Sequence, residues 1–483
     1  MMTKKEALSV IDQKREKICA VSDAVWESPE TLYTEYVSAE ILCRFLEEEG
    51  FEVKKGLAGI PTAFSGSFGH GKPVIGFLGE FDALDGLSQK AGITRKEAIV
   101  PNGKGHGCGH NLLGAGCLAA VLAVKEYLTG NKLEGTVVFF GCPAEEGGSG
   151  KSFMARDGVF DEVDFALAWH PGTFNYVHVG GSLANTQALY QFHGISSHAA
   201  IAPEIGRSAL DAVELMNTGV QYLREHIIDQ ARIHYALTDA GGRLPGVVQP
   251  YSEVLYLIRA PRNEQVREIS ERVDAIAEGA AKMTGTTVEK RFVKACSSIV
   301  DNTVLEEALQ DNLETIPRDA YTEEETAFAE EIFRTNREQR LDVEEYLGKY
   351  DKGRREMIQN LLEPFLTAPV NDFVLPLQDR ESCLMASSDV GDVCWICPCA
   401  HINTVTWPAG TQAHTWQAVA MGKSSFAKKG MLYAGKVMAG AAIDMLNDPA
   451  RLEKAKEEFK RRIGPEGYIP PIPKDIKPPI PEQ

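Results

Sequence analysis

Gly105-His106-Gly107-Cys108-Gly109-His110-Asn111 opens a long apolar stretch, 112–128, and is followed by Thr136-Val137-Val138-Phe139-Phe140-Gly141-Cys142-Pro143-Ala144-Glu145-Glu146-Gly147-Gly148. The first part reads as a helix entered through a glycine-rich turn, the second as a buried strand that opens into another turn. Two more strand-length apolar runs, 74–78 and 165–169, flank them, so short strands alternate with helices up to about residue 182. That alternation is the signature of an α/β fold. Most of the chemically capable residues stand just after one of these strands, where the carboxyl ends of an α/β sheet leave a crevice for ligands.

The residue types in that crevice point to a metal-dependent hydrolase. Cys108 and His110 are two apart, so in an extended segment both side chains lie on one side and reach one ion. Glu145 and Glu146 are adjacent and diverge, so one can bind metal while the other faces a water as general base.

The 483 residues, 44% hydrophobic and 24% charged, are enough for two or three domains. A net charge of -18 opposes nucleic acid and anionic membrane surfaces as partners, and a small anionic substrate would need a local Arg or Lys. Residues 1–30 read as one amphipathic helix with Leu8, Ile11, Ile18, Val21 and Val25 at helical spacing and no signal-peptide pattern. The longest apolar runs, such as 136–142, are shorter than a membrane span, and the expected location is the cytoplasm. The 10 cysteines are scattered as reduced core residues are, not spaced as a disulfide framework. Cys394-Trp395-Ile396-Cys397-Pro398-Cys399 reads as a buried strand, since no second cysteine pair stands at zinc-site spacing. Ser387-Ser388 lacks the Gly-x-Ser-x-Gly elbow of a serine nucleophile. His106 and His401 read as structural.

From Gln187 the texture changes. Strand 189–193, helix 208–224, strand 253–259 and helix 264–283 form a β-α-β-α order that fits a small separate domain. Residues 316–375 are charge-rich and helical, an insertion broken by the charged clusters 323–325, 337–340 and 354–356. Residues 384–420 return to motif-dense sequence, and 426–446 form a small-residue helix. The proline-rich tail, 464–483, is expected to be extended and poorly ordered.

Six stretches in this order resemble the metal-dependent amidohydrolases and peptidases that include aminoacylases, indole-acetyl-amino-acid hydrolases, glutamate carboxypeptidases and aminobenzoyl-glutamate hydrolases. They are Gly79-Glu80-Phe81-Asp82-Ala83-Leu84, Cys108-Gly109-His110-Asn111, Glu145-Glu146, Trp169-His170-Pro171, Gly194-Ile195-Ser196-Ser197-His198-Ala199 and Ala413-His414-Thr415. Within that family, 105–116, Ser387-Ser388-Asp389-Val390-Gly391-Asp392-Val393 and the helical insertion are nearest to the aminobenzoyl-glutamate hydrolases.

The resemblance implies a mixed-sheet di-metal catalytic domain, in two parts (1–184 and 298–483), interrupted by an α+β dimerisation or lid domain at 185–297. It implies two divalent ions (zinc, manganese or cobalt) held by Cys108, His110, Glu146, His170 and His414, with Glu145 as the base and Asp82 supporting the metal shell. Cys108, just before a helix start near Asn111, would be favoured as a thiolate that bridges the ions. His198 of a neighbouring subunit would stabilise the oxyanion, and Arg259 would stand near the interface or the substrate carboxylate. The implied partners are a small amide substrate, a second copy of the chain, and a related second subunit. Relatives carry Asn-Val-Val-Pro in the lid where this chain has Gly246-Val247-Val248-Gln249-Pro250, which removes a substrate contact and puts aminobenzoyl-glutamate itself in question. The competing expectation is a non-catalytic partner subunit or metal-dependent binding protein of the same fold; the intact Glu145 and full ligand set oppose it. A redox protein using Cys394 and Cys397 comes third.

Overall fold

A computed structural model describes residues 1–337, 341, 343–379 and 386–481. Three helices, α1 (Lys4–Gln13), α2 (Arg15–Glu27) and α3 (Tyr36–Glu48), precede strands β1 (Glu52–Lys55), β2 (Phe64–His70) and β3 (Val74–Glu80). Next come α4 (His110–Asn131), β4 (Gly135–Cys142), α5 (Gly150–Arg156), β5 (Phe165–Gly172) and β6 (Tyr176–Val177). The inserted unit runs β7 (Ala184–His193), α6 (Ala209–Leu223), β8 (Arg232–Asp239), β9 (Tyr251–Ala260), α7 (Asn263–Thr284) and β10 (Thr287–Cys296). After it stand α8 (Thr303–Thr315), α9 (Glu323–Thr335), α10 (Val343–Leu347), α11 (Arg355–Leu362) and α12 (Val390–Cys394). The chain ends through β11 (Cys399–Val405), α13 (Trp416–Met421), α14 (Ser425–Asn447) and α15 (Pro449–Ile463).

The strands form two sheets, a 7-stranded one in the order β1-β2-β4-β3-β5-β11-β6 and a 4-stranded one in the order β10-β7-β9-β8. In the large sheet β4, β3, β5 and β11 are mutually parallel, while β1, β2 and β6 are antiparallel to their neighbours. The carboxyl ends of the four parallel strands therefore share one edge. The small sheet is wholly antiparallel, with α6 and α7 packed on it around a core of its own.

Helix α4 is apolar all round, because it is covered on all sides by the large sheet, α14, α1 and α2. It is long and apolar enough to cross a membrane, but 83% of that window is buried inside the protein; the expectation that the longest apolar runs are strand-length holds for β4 and not for this helix, which the sequence did place at 112–128. Glycine makes the packing close: a Cβ on Gly435 would lie 2.7 Å from Ala119 Cβ, and one on Gly116 would lie 2.6 Å from Trp169 Nε1.

Several expectations change in detail. Residues 1–30 hold two helices rather than one, with a break at Lys14. The small unit has four strands where the sequence suggested two. Strand β8 carries a legible alternation of Ile233, Tyr235 and Leu237 but is exposed at all but one residue on a sheet edge, and β10 was hidden because the charged residues 289–291 run consecutively through it. Cys394, Cys397 and Cys399 are buried as expected, but Cys394 ends α12 and only Cys399 enters a strand. The tail is extended yet docked: Ile472 is buried, Tyr468 Oη donates to Asp392 Oδ1 at 2.8 Å, and Arg156 Nη1 donates to the Pro473 and Ile476 carbonyls. Of the insertion's charged clusters, 338–340 lie outside the described residues, as does residue 384 at the start of the motif-dense stretch.

Candidate metal centre

The candidate ligands come from the shared edge of the parallel strands. Asp82 stands two residues past the end of β3, Glu145 and Glu146 follow β4, His170 lies near the end of β5, and His414 follows β11. Cys108 and His110 enter from the loop before α4. Their segment is not extended, as the spacing alone implied: His110 is the first residue of α4, and Gly109 turns the chain at φ 75°. The turn brings both side chains inward all the same.

Cys108 is the common point. Cys108, His110 and His170 form one group of potential ligand atoms lying within 4.8 Å of one another, and Cys108, Glu146 and His414 form a second. Cys108 Sγ is 3.2 Å from His170 Nε2, and His414 Nε2 is 3.2 Å from Glu146 Oε1. Neighbouring groups settle which atoms face inward. His170 Nδ1 is 2.8 Å from the Pro171 carbonyl and donates to it, which leaves Nε2 as the lone-pair nitrogen. Asp82 Oδ1 takes His110 Nδ1 at 2.8 Å, and its Oδ2 accepts the Glu146 amide at 3.0 Å, so one carboxylate orients two candidate ligands.

The strain in the backbone collects here. Of the non-glycine residues at positive φ, Leu32, Tyr33, Ala144, Ser149 and His414 belong to the loops around this edge. Tyr33 Oη donates to the Gly148 carbonyl at 2.5 Å and so braces the Glu145–Glu146 loop.

The electrostatics suit a cation. Burial opposes a charged His110, yet Cys108 and Asp82 push it well above the ordinary histidine range. Burial likewise opposes a charged Glu146, yet His414 and His110 hold it down to about 2. Burial, then Glu80 and Asp389, push Glu145 well above the ordinary carboxylate range. Burial also pushes the Cys108 thiol up, against the thiolate the sequence suggested, so Cys108 adds to the His110 shift only when it is ionised. A field that draws a proton onto His110 draws a divalent ion equally, and such an ion would stabilise the thiolate. His110 Nε2 and Glu146 Oε1 are buried with no hydrogen-bond partner among the described residues, as atoms reserved for a metal would be. The donor set of one thiolate, three imidazoles and a carboxylate fits two divalent ions sharing Cys108.

The other expected residues lie in the inserted unit. His198 is exposed, and its Nδ1 accepts the Ala200 and Ile201 amides, each at 3.2 Å, so the ring proton sits on the outward Nε2. Its loop pairs with the altered lid stretch: Val247 bridges His198, and the Ala199 amide donates to the Gly246 carbonyl. Arg259 is on β9 opposite Asn185 of β7 and Arg232 of β8. His106 is structural, its Nε2 3.0 Å from the Val25 carbonyl, and His401 stacks on His178 with centroids 4.4 Å apart.

Sequence reasoning missed Glu80 and Lys151 and gave Asp389 no role. Lys151 is completely buried, with Nζ 2.8 Å from Glu80 Oε1 and 2.5 Å from Asp389 Oδ1. Only the strand alternation of Glu80 with Asp82 could have signalled the first, since Gly150-Lys151 after a glycine-rich turn looks like surface.

The profile of peptidase family M20/M25/M40 matches residues 76–334. The chain is 46% identical over 472 residues to the B subunit of p-aminobenzoyl-glutamate hydrolase from Escherichia coli (strain K12), with 97% of each chain covered. It is 27% identical to the Xaa-Arg dipeptidase of Mus musculus, over 97% of this chain and 94% of that one. Its fold matches a crystal structure of a dinuclear metal-binding peptidase of the M20 family from Bacillus subtilis at a TM-score of 0.58 and 16% identity, covering 90% of this chain and 99% of that one.

Proposed function

The chain belongs to peptidase family M20/M25/M40, and from that premise we propose that it hydrolyses the amide bond of an N-acyl or N-aroyl amino acid, or of a dipeptide of that kind. The observation that carries this reading is the convergence of two potential ligand groups on Cys108, with Glu145 beside them at the end of β4.

Cys108, His110 and His170 would hold one ion and Cys108, Glu146 and His414 the other, with zinc, manganese or cobalt as the candidates. The ions, when bound, supply Lewis-acid polarisation of the amide carbonyl and acidify a water. Glu145 takes the proton of that water at its carboxylate and delivers it to the leaving nitrogen; its raised proton affinity suits an acid as well as a base. Asp82 keeps His110 and the Glu146 backbone in register through both steps. His198 of a second copy of the chain donates from Nε2 to the carbonyl oxygen as negative charge builds there. Arg259 contributes to binding the substrate carboxylate.

A dimer through the small sheet would permit this use of His198. Strand β8 is an edge strand with Tyr235 and Leu237 43% and 48% exposed, and α6 of the same unit carries Tyr222 at 75%. A related second subunit is a further candidate partner, since the relative from Escherichia coli is itself named as one subunit of a hydrolase. The test is release of aromatic amine from p-aminobenzoyl-glutamate by the purified, manganese-loaded chain and by Glu145→Ala. The variant is expected to lose about 10²–10⁴-fold in kcat while still binding metal. A near-parental rate would remove Glu145 from its role, and an inactive parent with metal bound would shift the reading to other acyl amino acids or to a supporting subunit.

A further inference from the structure

We infer that Glu80 is an additional carboxylate donor on the His110 side of the proposed metal centre, and that Lys151 is the positioning residue that holds it there. The inference rests on the two-ion reading above and adds to its five ligands.

Glu80 ends β3 with its side chain 6% exposed, and its two oxygens face different ways. Oε1 lies 2.8 Å from Lys151 Nζ, and Oε2 lies 3.3 Å from His110 Nε2. That nitrogen is the one left inward when Nδ1 pairs with Asp82, and it makes no hydrogen bond even at this distance. The oxygen and the nitrogen thus stand close without the geometry of a hydrogen bond, an arrangement open to a shared ion. Two donors on one tetrahedral ion, each at about 2.0–2.1 Å from it, stand about 3.3 Å apart. The Glu146–His414 pair shows nearly the same spacing, 3.2 Å. Glu80, His110 and Glu145 form a third group of potential ligand atoms lying within 4.8 Å of one another.

Charge points the same way. Lys151, at 0% exposure, faces both Glu80 and Asp389, and its own amide donates to Asp389 Oδ2 at 2.8 Å. One ammonium balances one carboxylate; the second is offset at the His110 side, by the proton His110 draws when no metal is bound and by a divalent ion that would take that proton's place. Lys151 occupies one Glu80 oxygen and is itself fixed by Asp389 from the loop before α12, which leaves the other Glu80 oxygen turned to His110.

The test is a cobalt titration of the metal-free full chain, read by the thiolate-to-cobalt charge-transfer band and by the ligand-field band. The parent should take up two equivalents. In Glu80→Gln, which keeps the shape and a polar oxygen or amide facing Lys151, affinity for one of the two ions should fall at least about tenfold and the ligand-field band should change, with the circular dichroism of the parent. Lys151→Met should weaken the same ion and spare the other; Asp389→Asn, which removes the second anchor of Lys151, replaces it if that variant does not fold. A Glu80→Gln protein with parental affinities and spectrum overturns the donor assignment. Parental binding in a folded Lys151→Met overturns the positioning role. A parent that binds no cobalt overturns the two-ion reading itself, a result distinct from either.

Discussion

Glu35 shows how a single side chain near the site sets a pH dependence. It is fully buried, accepts the Tyr33 amide at 3.0 Å and the Thr62 hydroxyl at 3.1 Å, and burial followed by the charge of Asp82 raises it to about 7. Because its proton affinity is higher in the folded chain, its contribution to stability is complete below its unfolded value of 4.5 and is lost as the pH rises through 7. A displacement of that size corresponds to roughly 3 kcal/mol at most. Glu35→Gln, which stays neutral, should therefore gain up to about 3 kcal/mol over the parent between about pH 4.5 and about pH 8 in urea unfolding. A difference between the two proteins that does not vary with pH would show that Glu35 does not change ionisation on folding. At this scale Cys108, His110, Glu145 and Glu146 stood out as candidates from residue type and spacing, whereas His170 and His414 entered only through the family resemblance, since neither has another ligand-type residue beside it. Glu80 and Lys151 did not stand out: an ion pair between a strand end and a turn far along the chain leaves no local pattern.

Among the elements, the strongly patterned ones were legible and the weakly patterned ones were not. Helix α4 was visible from its unbroken apolar run, and β3, β4 and β5 from theirs. Strand β10, with Glu289, Lys290 and Arg291 consecutive, shows no clean alternation, whereas β8 does alternate, with Ile233, Tyr235 and Leu237 on one face, and was open to reading. Helix α4 also carries the mechanical link to the site. Trp169 Nε1 donates to the Leu113 carbonyl of α4 at 2.9 Å, directly over Gly116, and the next residue is the candidate ligand His170. Gly116→Ala should push Trp169 aside, cost about 1–3 kcal/mol and lower the thermal midpoint, with a parallel loss of metal affinity. Unchanged midpoint and affinity would mean that the indole has room to shift.

For the whole molecule, the candidate ligands lie at the edge of the large sheet and His198 in the inserted unit, so the proposed exchange of His198 between subunits can be tested directly. Glu145→Ala and His198→Ala should each be inactive alone. Mixed at equal amounts and allowed to exchange, they should recover about a quarter of parental activity, because half the dimers are mixed and each mixed dimer has one complete site. No recovery in a preparation shown to contain mixed dimers would place His198 in its own chain's site or outside catalysis.

The sequence by itself determined the α/β class and a second β-α texture from about residue 187, which depend on periodicity, and it offered Cys108, His110, Glu145 and Glu146 as candidates by residue type; the fuller candidate set rested on the family resemblance. Only the tertiary structure decided that two ligand groups meet at Cys108, that Asp82 serves both His110 and Glu146, and that Lys151 lies buried between Glu80 and Asp389. Those relations join the ends of β3, β4 and β5 with the loops before α4, α12 and α13, and contacts between such distant segments follow from how the parallel strands align at one edge.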